Sequence, residues 1–211
     1  IEKKDLLLRL ADGFDGTDRW YLEALGSAAE GDESSFYAAL LERFNSQKAP
    51  ATAWDKKLAA IAWRLHPAEA VQDLKARASA TSLDDDSRSQ ALTALAFINR
   101  KEAVQAMISL SRDPDKLLAE QATYWLTFRQ GNDWFALWDW NKTGIDIEHE
   151  RRVAAMKVKR NRIIDTQMPL DEKKRNAREM SRDPVGVQML LGIVADGLLP
   201  EVLHPFVEQL I

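Results

Sequence analysis

The segment Leu65-His66-Pro67-Ala68-Glu69-Ala70-Val71-Gln72 recurs 33 residues later as Ile98-Asn99-Arg100-Lys101-Glu102-Ala103-Val104-Gln105. The residues before each copy also match, because Leu58, Ala62 and Leu65 fall opposite Ala91, Leu95 and Ile98. A looser third copy runs from Ala122 through Leu126 to Trp134. A helix, a tight turn and a second helix at a period in the thirties are typical of helical-repeat arrays, whose hairpins stack to bury one continuous core.

The rest of the chain shows the same helical period. Apolar residues recur at i, i+3, i+4 and i+7, and we find no convincing alternating strand. Helix stop and start residues fill the short breaks, so that the pattern predicts helices over residues 3–11, 17–29, 33–45, 53–65, 67–79, 87–99, 101–111, 116–129, 133–140, 145–164, 170–181, 184–195 and 199–210. The sequence therefore predicts an all-α fold, an α-α superhelix of the HEAT or armadillo kind, in a single domain over residues 1–211.

Several breaks carry residues suited to helix ends. Asp15 or Thr17 is predicted to cap the helix that follows, and Asp84-Asp85-Asp86 precedes a helix whose N-terminal end favours negative charge. Pro67 lies at a first-turn position, where a missing N–H costs nothing. These acidic residues are better explained by capping and turns than by chemistry.

Composition excludes several classes of function. Lys and Arg total 29 against 33 Asp and Glu, which gives a net charge of −4 and argues against a specific nucleic-acid binder. The sequence has no cysteine, so it offers neither disulfides nor the thiols of covalent haem attachment. No apolar run reaches the roughly 18 residues of a membrane helix, so no membrane insertion is expected. The apolar helical pattern at the end of the chain predicts a segment of a longer, multidomain protein.

Candidate catalytic and metal-binding residues do not form a known motif. His149-Glu150 begins like the zinc motif H-E-x-x-H, but Val153 stands where the second histidine is required. The histidines His66, His149 and His204 are predicted to be structural or exposed. Asp12, Asp15 and Asp18 miss the spacing of an EF-hand. We therefore expect no catalytic, cofactor-binding or metal-binding residue in this chain, and no cofactor.

Seven tryptophans are a high number for this length, and four of them lie between residues 125 and 140. Trp125 is placed by helical spacing on an inward stripe with Ala122, Leu126 and Arg129, so the sequence predicts a buried cluster of Trp125, Trp134 and Trp138. The alternative is that one or two tryptophans line a groove and contact a partner, where tryptophan is a favoured anchor.

A run of basic residues stands out between positions 151 and 162, where no acidic residue occurs. It is either a solvated helix flank or a surface for an anionic partner. The candidate partner surface from the sequence comprises this run and one tryptophan: Arg151, Arg152, Lys157, Lys159, Arg160, Arg162 and Trp140.

Three stretches resemble one bacterial family: Gly13-Phe14-Asp15-Gly16-Thr17-Asp18-Arg19-Trp20-Tyr21-Leu22-Glu23-Ala24-Leu25-Gly26, residues 122–134, and residues 182–200. They are similar to the HEAT-like helical-repeat region of large secreted proteins of the membrane-bound dehydrogenase and c-type cytochrome type, abundant in Planctomycetes, Verrucomicrobia and Bacteroidetes. The resemblance covers about residues 13 to 205. In that family the repeats follow a sugar-dehydrogenase-like β-propeller and precede a cytochrome domain with a CxxCH haem motif.

The resemblance implies a non-catalytic scaffold, periplasmic or otherwise extracytoplasmic, that spaces the propeller and the cytochrome. Its partners would be flanking domains of the same chain or another protein, and haem c would lie in a flanking domain. Two alternatives remain open. One is a HEAT-like alkylpurine DNA glycosylase, a family of similar length that uses Trp and Asp in a basic groove. The other is a stand-alone protein-binding repeat module.

Overall fold

The computed structural model describes residues 2–44 and 49–210, and within these ranges all regular secondary structure is helical, without a strand. Asn45, at which the third predicted helix ends, lies outside them. The helices fall into two compact units, residues 1–144 and 145–211, each described by itself. The prediction of one domain over the whole chain stays a prediction.

Unit 1 contains the longer series of helices. Its α-helices are α1 (Lys3–Gly13), α2 (Arg19–Ala28), α3 (Glu33–Arg43), α4 (Lys56–Leu65), α5 (Val71–Ser79), α6 (Asp85–Ala96), α7 (Lys101–Leu110) and α8 (Lys116–Gln130). Short 3-10 turns at Ala51–Ala53 and Ala68–Ala70 precede α4 and α5. Two more, Phe135–Leu137 and Trp140–Lys142, follow α8.

The helices of unit 1 form two layers. Helix α2 packs on α4, α4 on α6, and α6 on α8, while α1 packs on α3 and α5 on α7. The turns between the layers close helical hairpins, and the matched positions of the two sequence copies are buried, namely Leu58, Ala62, Leu65, Ala91, Leu95 and Ile98. The predicted all-α, α-α superhelical fold class is therefore confirmed.

Every helix of the layer α2, α4, α6 and α8 begins with an aspartate cap. Each cap side chain accepts a backbone N–H of the first turn, which satisfies a donor that the helix itself leaves unpaired; the caps are Asp18, Asp55, Asp84 and Asp115. The predicted cap at Asp84 is confirmed. The prediction of Asp15 or Thr17 for α2 is wrong, because Asp15 instead accepts the amides of Thr17 and Asp18 within the preceding turn.

The predicted helix over residues 133–140 is also wrong. Trp134 is fully buried, and its indole N–H donates to the carbonyl of Ile98 at 3.1 Å, which fixes the chain at the end of unit 1. Trp138 then adopts an extended backbone conformation and separates two 3-10 turns. Tryptophan, phenylalanine and aspartate, which dominate this segment, are weaker helix formers than alanine or leucine.

Unit 2 consists of α9 (Ile147–Ile164), α10 (Leu170–Met180), α11 (Pro184–Ala195), a 3-10 turn at Glu201–Leu203 and α12 (His204–Glu208). Helix α9 packs on α10 and α11, around a core of Ile163, Ala177, Met180, Leu190, Ile193, Leu199, Leu203 and Val207. The predicted helix over 199–210 is shorter, because Pro205 fits only the first turn of a helix.

Among the residues that the structure describes, no helix is both long and apolar enough to cross a membrane.

Candidate functional site

An unbroken row of aromatic rings crosses three neighbouring helices of unit 1. Trp63 and His66 lie at the end of α4, Phe97 directly follows α6, and three residues come from α8. We call this set the aromatic row: Trp63, His66, Phe97, Tyr124, Trp125 and Phe128.

Each ring of the aromatic row contacts the next. The His66 imidazole stacks on Phe97 with ring centroids 5.5 Å apart, and Phe97 meets Trp125 edge to face at 5.7 Å. Trp63 contacts His66 at 6.2 Å. Trp125 contacts Tyr124 at 5.4 Å and Phe128 at 5.9 Å. These are the offset and edge-to-face arrangements that aromatic pairs prefer, so the rings hold one another in place.

Half of the row is open to solvent. Phe97 is 42% exposed, Tyr124 53% and Phe128 46%, while Trp63, His66 and Trp125 are half-buried. A single exposed aromatic residue needs no explanation, but a contiguous apolar patch typically marks an interaction site. The row is such a patch, and it spans the layer formed by α4, α6 and α8.

His66 owes its place in the row to an unusual backbone conformation. Its φ of 46° is the one positive φ at a non-glycine residue in the described ranges. This left-handed residue ends α4, with its N–H bonded to the carbonyl of Ala62, and histidine adopts that conformation more readily than most residues. Burial lowers the pKa of His66 to about 4, assisted by the nearby charges of Arg64 and Arg129. His66 is therefore a neutral ring at physiological pH.

Arginines lie against the row, and each of them binds a carboxylate. Arg129 is buried beneath Phe97, 5.0 Å from the ring centroid, and donates to Asn99 and Asp133 at 2.9 and 2.7 Å.

At the other end, Arg19 lies over Trp63 at 5.2 Å, and Arg19 and Arg64 both bind Glu23. The bond from Arg64, followed by that from Arg19, holds the pKa of Glu23 below its usual range. Because the two guanidinium groups share one carboxylate, this end of the row carries one positive charge in excess.

The tryptophan cluster predicted from the sequence is wrong for Trp125. Ala122, Leu126, Arg129 and Trp134 are buried, but Trp125 is only half-buried and belongs to the row. Three residues turn a helix by about 300°, which places Trp125 about 60° from the axis of the buried stripe. The alternative, that one or two tryptophans line a groove and contact a partner, stays a prediction.

Trp140 and the basic run fall in different units. In unit 1 the indole N–H of Trp140 donates to the carbonyl of Phe135 at 3.0 Å. In unit 2 the run lies on α9, where Arg151, Arg152, Lys157 and Arg162 are exposed. Lys159 and Arg160 are half-buried, and Lys159 forms an ion pair with Glu179 of α10. Arg151 lies 4.0 Å from Glu148.

A depression in unit 1, about 500 Å³ in volume, is lined in part by charged residues. Arg77 is buried there, donates to the carbonyl of Ala51 at 2.6 Å and lies 5.4 Å from the Trp54 ring. Burial lowers the pKa of Arg77. Lys56, Asp84 and Asp86 line the same depression, so that two positive charges face two negative ones.

The other polar residues singled out in the sequence take part in local contacts. Asp12 pairs with Arg43 at 2.6 Å, and Asp15 and Asp18 bind backbone amides. His204 Nε2 lies 3.1 Å from the carbonyl oxygen of Leu199, and His149 is exposed. In the described part of the chain, no group of three or more His, Cys, Asp or Glu side chains is placed to hold a metal ion.

Sequence reasoning missed the aromatic row as a surface. Its members lie near helix ends and come from three repeats, so that no single stretch shows it. A signal was present, because each of the helices α4, α6 and α8 carries aromatic residues in or just after its last two turns. No protein-family model, no curated protein and no solved structure matches this chain.

Proposed function

We propose that this chain is a non-catalytic helical-repeat scaffold that binds a partner protein through the aromatic row. The observation that carries the proposal is the exposure of an unbroken line of rings across α4, α6 and α8. Leaving such a surface in water forgoes roughly 25 cal/mol for each Å² of apolar area that a partner would cover. Tryptophan and tyrosine are also the residues that most often anchor protein interfaces.

The partners that we propose are taken from the resemblance to secreted dehydrogenase-type proteins. They are a β-propeller domain and a c-type cytochrome domain, which the helical array would hold at a fixed spacing in an extracytoplasmic compartment. The haem and the sugar chemistry would then belong to those domains. A packed array suits this task, because each repeat fixes the position of its neighbours.

We propose the basic face of α9 as a second binding surface. Arg151, Arg152, Lys157 and Arg162 are exposed there, and an anionic patch on a flanking domain would be attracted to them. Such attraction raises the association rate and weakens with salt.

The proposal is tested by titrating the purified chain with separately purified propeller and cytochrome domains of this family in a calorimeter. We expect one of them to bind, and Phe97→Ser to weaken binding at least tenfold. The matched control is Phe135→Ser, which removes a phenylalanine that is 68% exposed and outside the row. Equal weakening by both variants, or binding of neither domain, would contradict the proposal.

The two alternatives have their own tests. Excision of a methylated purine from duplex DNA by the pure chain would establish the glycosylase alternative. The domain context is decided by the gene itself, since a CxxCH motif downstream of these repeats would favour the spacing role over a stand-alone module.

A further inference from the structure

We propose that the depression lined by Lys56, Arg77, Asp84 and Asp86 binds a small zwitterion of the α-amino-acid class, with Arg77 holding its carboxylate and Asp86 its ammonium group. The depression has a volume of about 500 Å³, which is within the range of sites that hold small ligands. The inference does not depend on the aromatic row. It rests on one buried arginine and on the charges that line the depression.

Of the charged residues that line the depression, Arg77 alone is buried. It is 4% exposed, and burial lowers its pKa against the opposing effect of Asp84. A buried charge is normally paired with an opposite charge, yet Arg77 forms no ion pair with any described residue. One of its nitrogens donates to the carbonyl of Ala51 at 2.6 Å. None of the others is both sealed from solvent and unbonded, so the rest of this planar fork is available to a carboxylate, which it matches in shape.

The four charges select a ligand that carries both signs. Lys56 and Arg77 face Asp84 and Asp86, and no ion pair joins any of the four to a described residue. A simple anion at Arg77 would also meet two carboxylates, and a simple cation at Asp86 would also meet two basic groups. A zwitterion meets an opposite charge at each of its ends, so the like charges that repel the simpler ions attract its second group.

The two carboxylates differ in what they already bind. Asp84 caps α6 and accepts the amide N–H of Ser87 at 2.7 Å, whereas the side chain of Asp86 makes no hydrogen bond or ion pair to a described residue. Asp86 is therefore the acceptor that remains for an ammonium group. Apolar residues such as Ala59 and Leu83 complete the lining, and an aliphatic side chain on the ligand would contact them.

The test uses L-leucine as the probe, titrated at pH 7 into the isotope-labelled chain and followed through backbone amide shifts by NMR. Two control compounds each lack one charge of leucine: 4-methylpentanoate has no ammonium group, and 3-methylbutylamine has no carboxylate. We expect leucine to bind at least about tenfold more tightly than either control, as expected for one additional charged hydrogen bond. The largest shifts should fall on residues 56–60 and 83–90, which border the depression.

Two neighbouring aspartates of α6 provide matched variants. Asp86→Asn should weaken leucine binding about tenfold, whereas Asp85→Asn should leave it unchanged, because Asp85 does not line the depression. Both side chains are exposed in the first turn of the helix, so that neither change disturbs the core. Arg77→Lys, which keeps the charge and removes the planar fork, should also weaken binding. If Arg77→Lys is unfolded by far-UV circular dichroism, the aspartate pair decides the case.

Three results would overturn the inference: no binding of leucine, equal binding of leucine and one of the two control compounds, or equal weakening by Asp86→Asn and Asp85→Asn. The domain titration separates this inference from the proposed function. If a flanking domain binds through the aromatic row and leucine does not bind, only the inference fails.

Discussion

Two tryptophans nine positions apart, Trp125 and Trp134, occupy different environments. Trp134 is fully buried and donates to the carbonyl of Ile98, whereas Trp125 lies half-buried among the rings of the aromatic row. Removing a buried tryptophan creates a cavity and leaves that carbonyl without its donor, which typically costs about 3–5 kcal/mol.

We therefore expect Trp134→Ala to lower the free energy of unfolding by about 3–5 kcal/mol and Trp125→Ala by less than half as much. Urea denaturation followed by far-UV circular dichroism measures both. A larger loss for Trp125→Ala would show that the row is part of the core, as the helical spacing alone predicts.

His66 gives unit 1 a specific pH dependence. Its pKa is about 4 in the folded chain, mainly because of burial, against about 6.5 when unfolded. Between these values the unfolded chain binds more protons than the folded chain, so the neutral His66 ring contributes fully to the free energy of unfolding only above about pH 6.5. That free energy decreases as the pH falls toward 4, by up to about 1.4 kcal/mol per pH unit.

The test compares wild type with His66→Asn, since asparagine tolerates the positive φ of this position. Urea denaturation at pH 7 and pH 5 should show a larger loss of stability at pH 5 for wild type than for the variant. Carboxylates contribute equally to both proteins. The same pH dependence in both would contradict the assigned burial of His66.

At the scale of helices, α10 and α11 approach each other closely at Gly186. A Cβ atom at this position would lie 2.2 Å from the carbonyl oxygen of Met180, which is backbone and has little freedom to move. Gly192, in the same helix, has no neighbouring atom within 4 Å of such a Cβ. Two glycines of one helix thus provide a matched pair of variants.

Gly186→Ala should destabilise unit 2 by about 1–3 kcal/mol through overpacking. Gly192→Ala should stabilise it by about 0.5–1 kcal/mol, because alanine is the better helix former. Chemical denaturation measures whether each variant is less or more stable than wild type. A neutral or stabilising Gly186→Ala would mean that the helices lie farther apart than described.

The helices themselves were largely predictable from the sequence. Leu58, Ala62 and Leu65 and their counterparts one repeat later lie on the core face that their spacing predicts, and Asp84 caps its helix as predicted. Residues 133–140 were not predictable in this way, because the buried indole of Trp134 and its bond to Ile98 override the helical pattern. Such a contact joins positions 36 apart, beyond any local spacing rule.

At the scale of the whole chain, the candidate site depends on side chains that the repeats bring together. Phe97 and Trp125 are 28 positions apart, yet their rings touch because α6 packs on α8. Periodicity predicts that the repeats stack, but it does not predict which residues at the helix ends meet. The basic run on α9 is visible in the sequence, but its contacts are not. One of its members, Lys159, pairs with Glu179.

We propose that the chain acts by binding a partner through the aromatic row. The most direct test places the photo-cross-linker benzoylphenylalanine at position 97, and separately at position 135, in the full-length protein in the cells that make it. Cross-linked residues are then mapped by mass spectrometry. The account predicts a defined protein adduct at position 97 that Tyr124→Ser abolishes, and no such adduct at position 135. Equal yields at both positions, or no adduct at position 97, would contradict it.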